Sequence, residues 1–426
     1  MNPQTKIIRY ELEANLFDWE IAPGKVIQAW GYNGQIPGPT LRAKVGDTLI
    51  VRLKNNLQEP TTIHWHGLRI PADMDGTEEV QAPVMPGETF EYRLELKDAG
   101  TFWYHPHTNE TVQMERGLYG AIVVEEVNPE LVFDVERVLV LDDMKLDKND
   151  RFAKPNWFLP RWIERHDGRQ GDVRLVNGKQ EPVISLAAGQ TERWRIVNAA
   201  SARFVNLSFE GKPFQIIATD GGLIERPVTV TELLITPGER VELAIGPFAE
   251  GEEIKIQSLV YDRGSMIKTK EILFATIQVG AAQTSKASMP IRMRNIAPLA
   301  PADAAPTREI HLSGKRTWTN GVDFMINNHQ HLHDKPVKVG ELQIWDVYND
   351  TMMDHPFHLH GFFFQVLEIN GQSPEFISWK DTVNIPRFSK ARIAWLPDQR
   401  TGMWMYHCHI LEHVEAGMMA HFEVAA

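Results

Sequence analysis

The run Met405-Tyr406-His407-Cys408-His409-Ile410-Leu411-Glu412-His413, followed by Met418, holds the only cysteine of the 426-residue chain, with a histidine on either side. Cys408, His413 and Met418 stand five residues apart. A tight loop leaving a strand can therefore bring a thiolate, an imidazole and a thioether to one metal. A trigonal His2Cys set with a weak axial methionine is the ligand pattern of blue, electron-transferring copper. The loop lacks one histidine of that set, which must come from elsewhere.

Glycine and proline punctuate the chain every ten or so residues, between short stretches of β-branched or alternating character such as Thr48-Leu49-Ile50-Val51-Arg52-Leu53 and Val228-Thr229-Val230, a rhythm of β-sandwiches. Three segments overlay without a gap on Gly46, Gly189 and Gly340, each reaching an asparagine nine residues later at Asn55, Asn198 and Asn349. The chain reads as three copies of one β unit. Nine residues further, copy one has His64 and His66, copy three has His358 and His360, and copy two has Leu207 and Phe209. A second overlay, from Gly100 and Gly402, sets His105-Pro106-His107 against His407-Cys408-His409, preceded by Tyr104 and Tyr406.

On a strand, residues i and i+2 face the same way, so each His-x-His pair presents two imidazoles to one side. One such pair alone reads as a polar strand edge; four, at matching places in two copies, do not. Metal sites typically use two to four imidazoles per ion, so eight indicate a cluster of two or three metals between copies one and three. His355, three residues before His358, supplies the missing histidine of the blue site; copies one and two have Thr61 and Phe204 there, and copy one has Pro106 in place of Cys408. Only copy three holds the complete set His355, Cys408, His413 and Met418. Because Cys408 lies between His407 and His409, its side chain points away from theirs on an extended backbone, with metals about 10 Å apart on opposite faces. That layout suits one-electron collection feeding a multi-electron acceptor.

A chain of this length exceeds one ordinary core, and two or three domains of about 140 to 210 residues are expected. The repeats place them at 1–127, 128–284 and 308–426, with the Ala, Ser and Pro-rich segment 285–307 as linker. The stretch Glu125-Glu126-Val127-Asn128-Pro129 closes the first, and copy two, without ligands, reads as a spacer. With 43% hydrophobic and 23% charged residues and no long apolar run, no membrane span is expected. The net charge is −12, and lysine and arginine are scattered, which argues against nucleic acid and anionic membrane surfaces as partners. A single cysteine excludes an internal disulfide and leaves the redox compartment open. The start, Met1-Asn2-Pro3-Gln4-Thr5-Lys6-Ile7, lacks a charged region followed by an apolar core, so no secretory signal is expected and a cytoplasmic location stays open. Composition leaves the oligomeric state open.

His64-Trp65-His66-Gly67, His105-Pro106-His107, His355-Pro356-Phe357-His358-Leu359-His360-Gly361, and His407-Cys408-His409 with His413 and Met418 closely resemble the motifs of the multicopper oxidase family, specifically its three-domain bacterial laccase-like enzymes. The resemblance extends over essentially the whole chain. It implies an all-β fold of three consecutive cupredoxin-like Greek-key β-sandwich domains and four copper ions. Type 1 copper would take His355, Cys408, His413 and axial Met418, and type 2 would take His64 and His358. The type 3 pair would divide His66, His105 and His409 from His107, His360 and His407. Donors, phenols or aromatic amines or Cu(I), would be oxidised at type 1 through Cys408, with His407 and His409 leading to the cluster, where O2 is reduced to water. Asp75, nine residues after His66, matches a position that in the family often holds a carboxylate near type 2, to deliver protons or orient ligands; as a residue of Asp73-Met74-Asp75-Gly76 it also reads as a turn former. The resemblance further implies a periplasmic or secreted location.

Two other readings compete. A cuprous oxidase for copper tolerance often carries a methionine-rich insertion, whereas the 15 methionines here are dispersed. A non-enzymatic copper-binding relative should lack ligands, and none is missing. The family often has an acid directly after the last type 1 histidine; here Val414 stands there, followed by Glu415. Met419 reads as packing. His329, His331 and His333 alternate in a polar stretch that reads as a solvated loop or a surface copper site. His166, His311 and His421 have no partner pattern, and Asp354 reads as a donor-facing group or an exposed loop carboxylate.

Overall fold

Glu253–Leu259 alternates exposed and buried residues, with Ile254 and Ile256 turned inward, as a half-buried strand requires. Gly100–His105 and Glu192–Asn198 are buried along their whole length, because each is covered on both faces. The computed structural model describes residues 5–126, 131–149, 151–152, 159–317 and 321–426; residues 1–4 and the expected boundary at 127/128 lie outside them.

Among the described residues, six sheets pack in three pairs. In the first pair, a sheet of Lys25–Tyr32, Ile7–Ala22, Thr48–Asn55 and Thr89–Glu95 faces one of Gly38–Lys44, Gly120–Glu125, Gly100–His105 and His64–His66 across a core that includes Leu49, Tyr92, Trp65 and Phe102. The second pair, seven strands against five, encloses Trp194, Leu243, Leu207 and Phe274. The third pair sets Gln343–Asn349 and Ser389–Trp395 against His355–Leu359, Gly402–Cys408 and Met419–Ala425 around Trp345, Phe357, Tyr406 and Cys408. The same parallel pairing opens each sandwich: 7–14 beside 48–55, 135–141 beside 192–198, and 308–312 beside 345–349.

The three aligned asparagines have one structural job. Asn55, Asn198 and Asn349 are at most 1% exposed. Each Nδ2 donates to carbonyl oxygens, those of Glu59 and Val84, of Arg203 and Ile235, or of Met353, Ile385 and Pro386, and each Oδ1 accepts the backbone N–H two residues on. The clamp closes the loop that leads into the His64–His66 strand, its apolar counterpart Val205–Ser208, and His355–Leu359. Residues 285–307 form no helix or extended strand and are tacked down by Ser288 against Val132, Met293 N–H to Glu225 O at 2.8 Å, and Leu299 N–H to Gln365 Oε1 at 2.8 Å. Among the described residues, no helix is long and apolar enough to cross a membrane.

Candidate metal centre

Strand register assembles the histidines. His64 lies opposite His105 in copy one, and His358 opposite His407 in copy three. The two copies meet at their imidazoles, His64 stacked on His360 at 4.0 Å and His66 on His358 at 3.8 Å between ring centroids. All eight histidines of the four pairs are between 0 and 8% exposed. Ligand atoms of His107, His360 and His407 lie within 4.8 Å of one another, as do those of His64, His66 and His105 and those of His64, His358 and His360. His409 joins the group through Nε2, 3.3 Å from His66 Nδ1.

Oxygen acceptors hold the outer nitrogen of most rings. Nδ1 of His64, His105, His358 and His407 sits 2.8 to 2.9 Å from the backbone oxygens of Asp75, Pro106, Asp381 and Cys408. Nδ1 of His107 and His360 sits 2.7 and 2.8 Å from Glu110 Oε1 and Asp75 Oδ2. An acceptor on one nitrogen fixes the N–H there and turns the other lone pair inward. Nε2 of His64, His105, His107 and His358 is buried with no hydrogen-bond partner among the described residues. His360 Nε2 and His407 Nε2 lie 3.0 Å apart, two lone pairs that only a shared cation or proton reconciles. Leaving such nitrogens unmet costs about 1 to 3 kcal/mol each, which a metal ion would relieve. Burial holds His66, His105, His360, His407 and His409 well below the ordinary histidine range, so they are neutral ligands.

Two aspartates bind copies one and three in a crossed arrangement. Asp75 gives its backbone oxygen to His64 of its own copy and its carboxylate to His360 of the other. Asp381 gives its backbone oxygen to His358 and its carboxylate to His66, at 3.2 Å from Nε2. Asp75 is also the turn residue ending Ala72–Met74, and only glycine fits after it: Gly76 has φ +80, and a Cβ there would lie 1.8 Å from Ile63 O. Asp381, in Trp379-Lys380-Asp381-Thr382, carries no motif in the sequence, which gives no sign of this role.

Copy two does more than space its neighbours. Its Arg240, fully buried, donates Nη1 to Asp381 Oδ1 at 2.7 Å and Nη2 to Oδ2. Burial pushes the Asp381 carboxyl up, but Arg240 and His66 outweigh it and hold the group well below the carboxylate range. Gly238, at φ +86, backs the His409 ring so closely that a Cβ would lie 2.7 Å from Cδ2. Asp381→Asn keeps the shape but removes the charge facing Arg240 and His66; it is expected to weaken copper retention by roughly 10 to 100-fold, the usual cost of losing a ligand's outer partner. Copper content after dialysis against graded chelator, compared with the parent protein, checks this.

On the opposite face of the same strand, Cys408 Sγ lies 3.5 Å from both His355 Nδ1 and His413 Nδ1, which are 3.1 Å apart. The centre of such a triangle is ~2 Å from each corner, a metal–ligand distance. Burial pushes the Cys408 thiol up to about 12 and brings His355 down to about 3. The outer nitrogens are again held, His355 Nε2 by Thr351 Oγ1 at 2.7 Å and His413 Nε2 by the backbone oxygen of His166 at 2.9 Å. Met418 is fully buried and joined by backbone to both neighbours, Cys408 N–H to Met418 O at 3.2 Å and Met418 N–H to His413 O at 2.8 Å.

One closed Cys/His triangle beside a buried eight-histidine cluster, in a chain of three sandwiches, can be compared with known proteins. Three multicopper oxidase family models match, over residues 16–129, 149–246 and 301–426. The chain is 31% identical to "Multicopper oxidase mco" of Staphylococcus aureus, over 97% of this chain and 88% of that one. The chain belongs to the multicopper oxidase family. Among solved structures, the Campylobacter jejuni multicopper oxidase described as a metallo-oxidase superposes with TM-score 0.87 at 33% identity, over 99% of this chain and 92% of that one. The Pediococcus acidilactici laccase gives 0.85 at 29%, over 99% and 90%. This multicopper oxidase is thus an all-β protein of cupredoxin-like sandwiches, a copper oxidoreductase that uses O2, and four copper ions per chain match the family pattern.

Several side chains of the oxidase stand differently from expectation. Asp354 is neither exposed nor donor-facing: it is 2% exposed, accepts from Tyr261 Oη at 2.6 Å and Asn384 Nδ2 at 3.1 Å, and takes the Arg387 N–H. Val414 and Glu415 both line a cavity that reaches His107 and Glu110, so the carboxylate bonded to a cluster histidine there is Glu110. Glu110 lies three residues after His107, a spacing that could have flagged it. His166 acts through its backbone oxygen, a role no residue type can announce.

Proposed function

We propose that this oxidase is of laccase type, taking single electrons from phenolic or aromatic-amine donors at a type 1 site of His355, Cys408, His413 and Met418 and reducing O2 to water at a cluster held by His64, His66, His105, His107, His358, His360, His407 and His409. Type 2 falls to His64 and His358; type 3 falls to His66, His105 and His409 on one ion and His107, His360 and His407 on the other. One observation carries the reading: Cys408 closes the triangle with His355 and His413, while His407 Nε2 meets His360 Nε2 at 3.0 Å. Adjacent residues of one strand thereby serve two metal sets. Bound copper supplies the one-electron relay and the oxygen chemistry. The chain does the rest: Asp75 and Asp381 hold imidazoles in their ligating tautomers, burial keeps the cluster dry and holds His66, His105, His358, His360, His407 and His409 below the ordinary histidine range, and the sandwiches at 1–127 and 308–426 bring the half-sites together, joined through 128–284 and the linker 285–307. We place the protein outside the cytoplasm, on the family resemblance.

One observation favours Cu(I) as donor. Neither His355 nor His413 has an edge in solvent, both being 0% exposed, and the His166 oxygen covers His413 Nε2. Asp167 beside it accepts from Met266 and Ile267 N–H, both at 2.9 Å, which ties a second segment to the cover. A phenol cannot touch either imidazole through that cover, whereas Met352, 51% exposed beside buried Met353, offers a soft donor at the surface. Oxygen-uptake kinetics of copper-loaded protein with phenols, aromatic amines and Cu(I) decide between them. A kcat/KM at least tenfold higher for a phenol or amine supports the laccase reading; the reverse supports the cuprous oxidase. No uptake with any donor, despite four coppers, sinks both and leaves a copper-binding protein.

A further inference from the structure

A cavity of about 490 Å³ lies beside the histidine cluster, with His107 in its wall together with His331, His333, His421, Met405 and Met419. The last five belong to neither of the sites assigned above. Strand register explains why they converge. Met405 lies opposite His421 and His407 opposite Met419, across the pairing of Gly402–Cys408 with Met419–Ala425. Leu332–His333 runs parallel on the far side of Met419–Ala425, with His333 opposite His421. Directly opposed residues project from the same face of a sheet. Met405, His421 and His333 therefore form a row across three strands, one step from the row of His407 and Met419.

The row has the features of a ligand set. The His333 and His421 rings are 5.5 Å apart, close to the 5.0 Å between His355 and His413. His421 is 5% exposed and its Nδ1 is buried without a partner among the described residues. His331 and His333 are exposed and can reorient towards it. Imidazole with thioether is a soft set that selects Cu(I) over the hard divalent ions. Glu79, 3.8 Å from His421 Nε2, and Glu415 add negative charge that draws a cation in.

We propose that this cavity is an additional copper site, holding Cu(I) by His421, His333 and the thioethers of Met405 and Met419, through which copper enters the neighbouring cluster. The ion is bound and handed inward as Cu(I), without electron transfer, and His107 in the cavity wall is the first cluster ligand it meets. The entry role rests on reading the eight histidines as the trinuclear copper centre; the binding site does not.

Ag(I), a redox-inert stand-in for Cu(I), titrated into the copper-loaded oxidase tests the site. The parent protein is expected to take one Ag(I) per chain beyond its copper. His333→Ala, at an exposed position, and Met405→Leu, close in volume, are each expected to weaken that binding at least tenfold without changing the copper already held. Equal Ag(I) affinity in parent and both variants overturns the site. Anaerobic filling of copper-free protein with Cu(I), followed by metal analysis, tests the entry role: His333→Ala should fill the cluster at least fivefold more slowly while the Cys408 site fills at the parent rate. Equal cluster filling overturns entry. A parent protein that retains copper only at Cys408 counts against the trinuclear reading itself, and the Ag(I) titration still decides the site.

Discussion

Cys408→Ser is expected to abolish the blue absorption and to lower donor-coupled oxygen consumption by on the order of a thousandfold or more, because the chain's only thiolate is lost and a buried hydroxyl does not replace it as a soft ligand. The protein should still fold. Serine is close in shape, its oxygen can accept the Ile410 N–H that now reaches Sγ at 3.4 Å, and the neighbouring core of Phe357 and Tyr406 is untouched. Copper content should fall from four ions to three, since His407 and His409 face the other side of the strand and keep their partners. Metal analysis, visible absorption and oxygen uptake on one preparation check all three points. Survival of colour and turnover would refute the assignment of Cys408.

Acid should unfold the copper-free protein far more readily than the loaded one. Eight of the ten site histidines, His66, His105, His355, His358, His360, His407, His409 and His413, are held below the ordinary histidine range, in each case mainly by burial. Unfolded, each titrates near 6.5, so below that pH the unfolded chain binds more protons than the folded one and stability falls as pH falls. Each such group removes about 1.4 kcal/mol per pH unit between its unfolded and folded values. Even if mutual coupling halves the sum, the slope is about 5 kcal/mol per unit, comparable to a domain's whole stability. Copper-free protein should therefore lose its fold within one to two pH units below 6.5, while bound copper, which needs the folded site, delays the loss. Urea midpoints measured from pH 7.5 to 4.5 with and without copper provide the comparison. Parallel curves would show that the buried imidazoles do not control acid stability.

The ligands were legible because a strand converts spacing into direction: His-x-His means two rings on one face, and the overlay of copies showed which face. Asn55, Asn198 and Asn349 were legible as a register mark without their role being visible, since a side chain that clamps its own loop shows only as a recurring letter. Asp381 was hidden, because it reaches His66 across 315 residues and no local pattern announces a cross-copy bond. Arg240 was hidden for the same reason, since it reaches Asp381 across 141 residues from a copy that carries none of the histidine pairs. His421 showed no partner because His333, its neighbour across the sheet, is distant in sequence. Asp354 misled because a loop carboxylate beside a ligand looks exposed until Tyr261 and Arg387 are seen to close over it.

The crossed bonds of Asp75 and Asp381 also set a clock on biosynthesis. Asp75 and His360 are 285 residues apart, and His66 and Asp381 are 315. At usual translation rates, about 15 to 60 s separate the emergence of the two halves from the ribosome. During that interval the first sandwich carries His64, His66, His105 and His107 as a half-built ring of imidazoles, a ligand type that suits zinc, iron and nickel as well as copper. The cluster can acquire its final occupants only after His407 and His409 have been made.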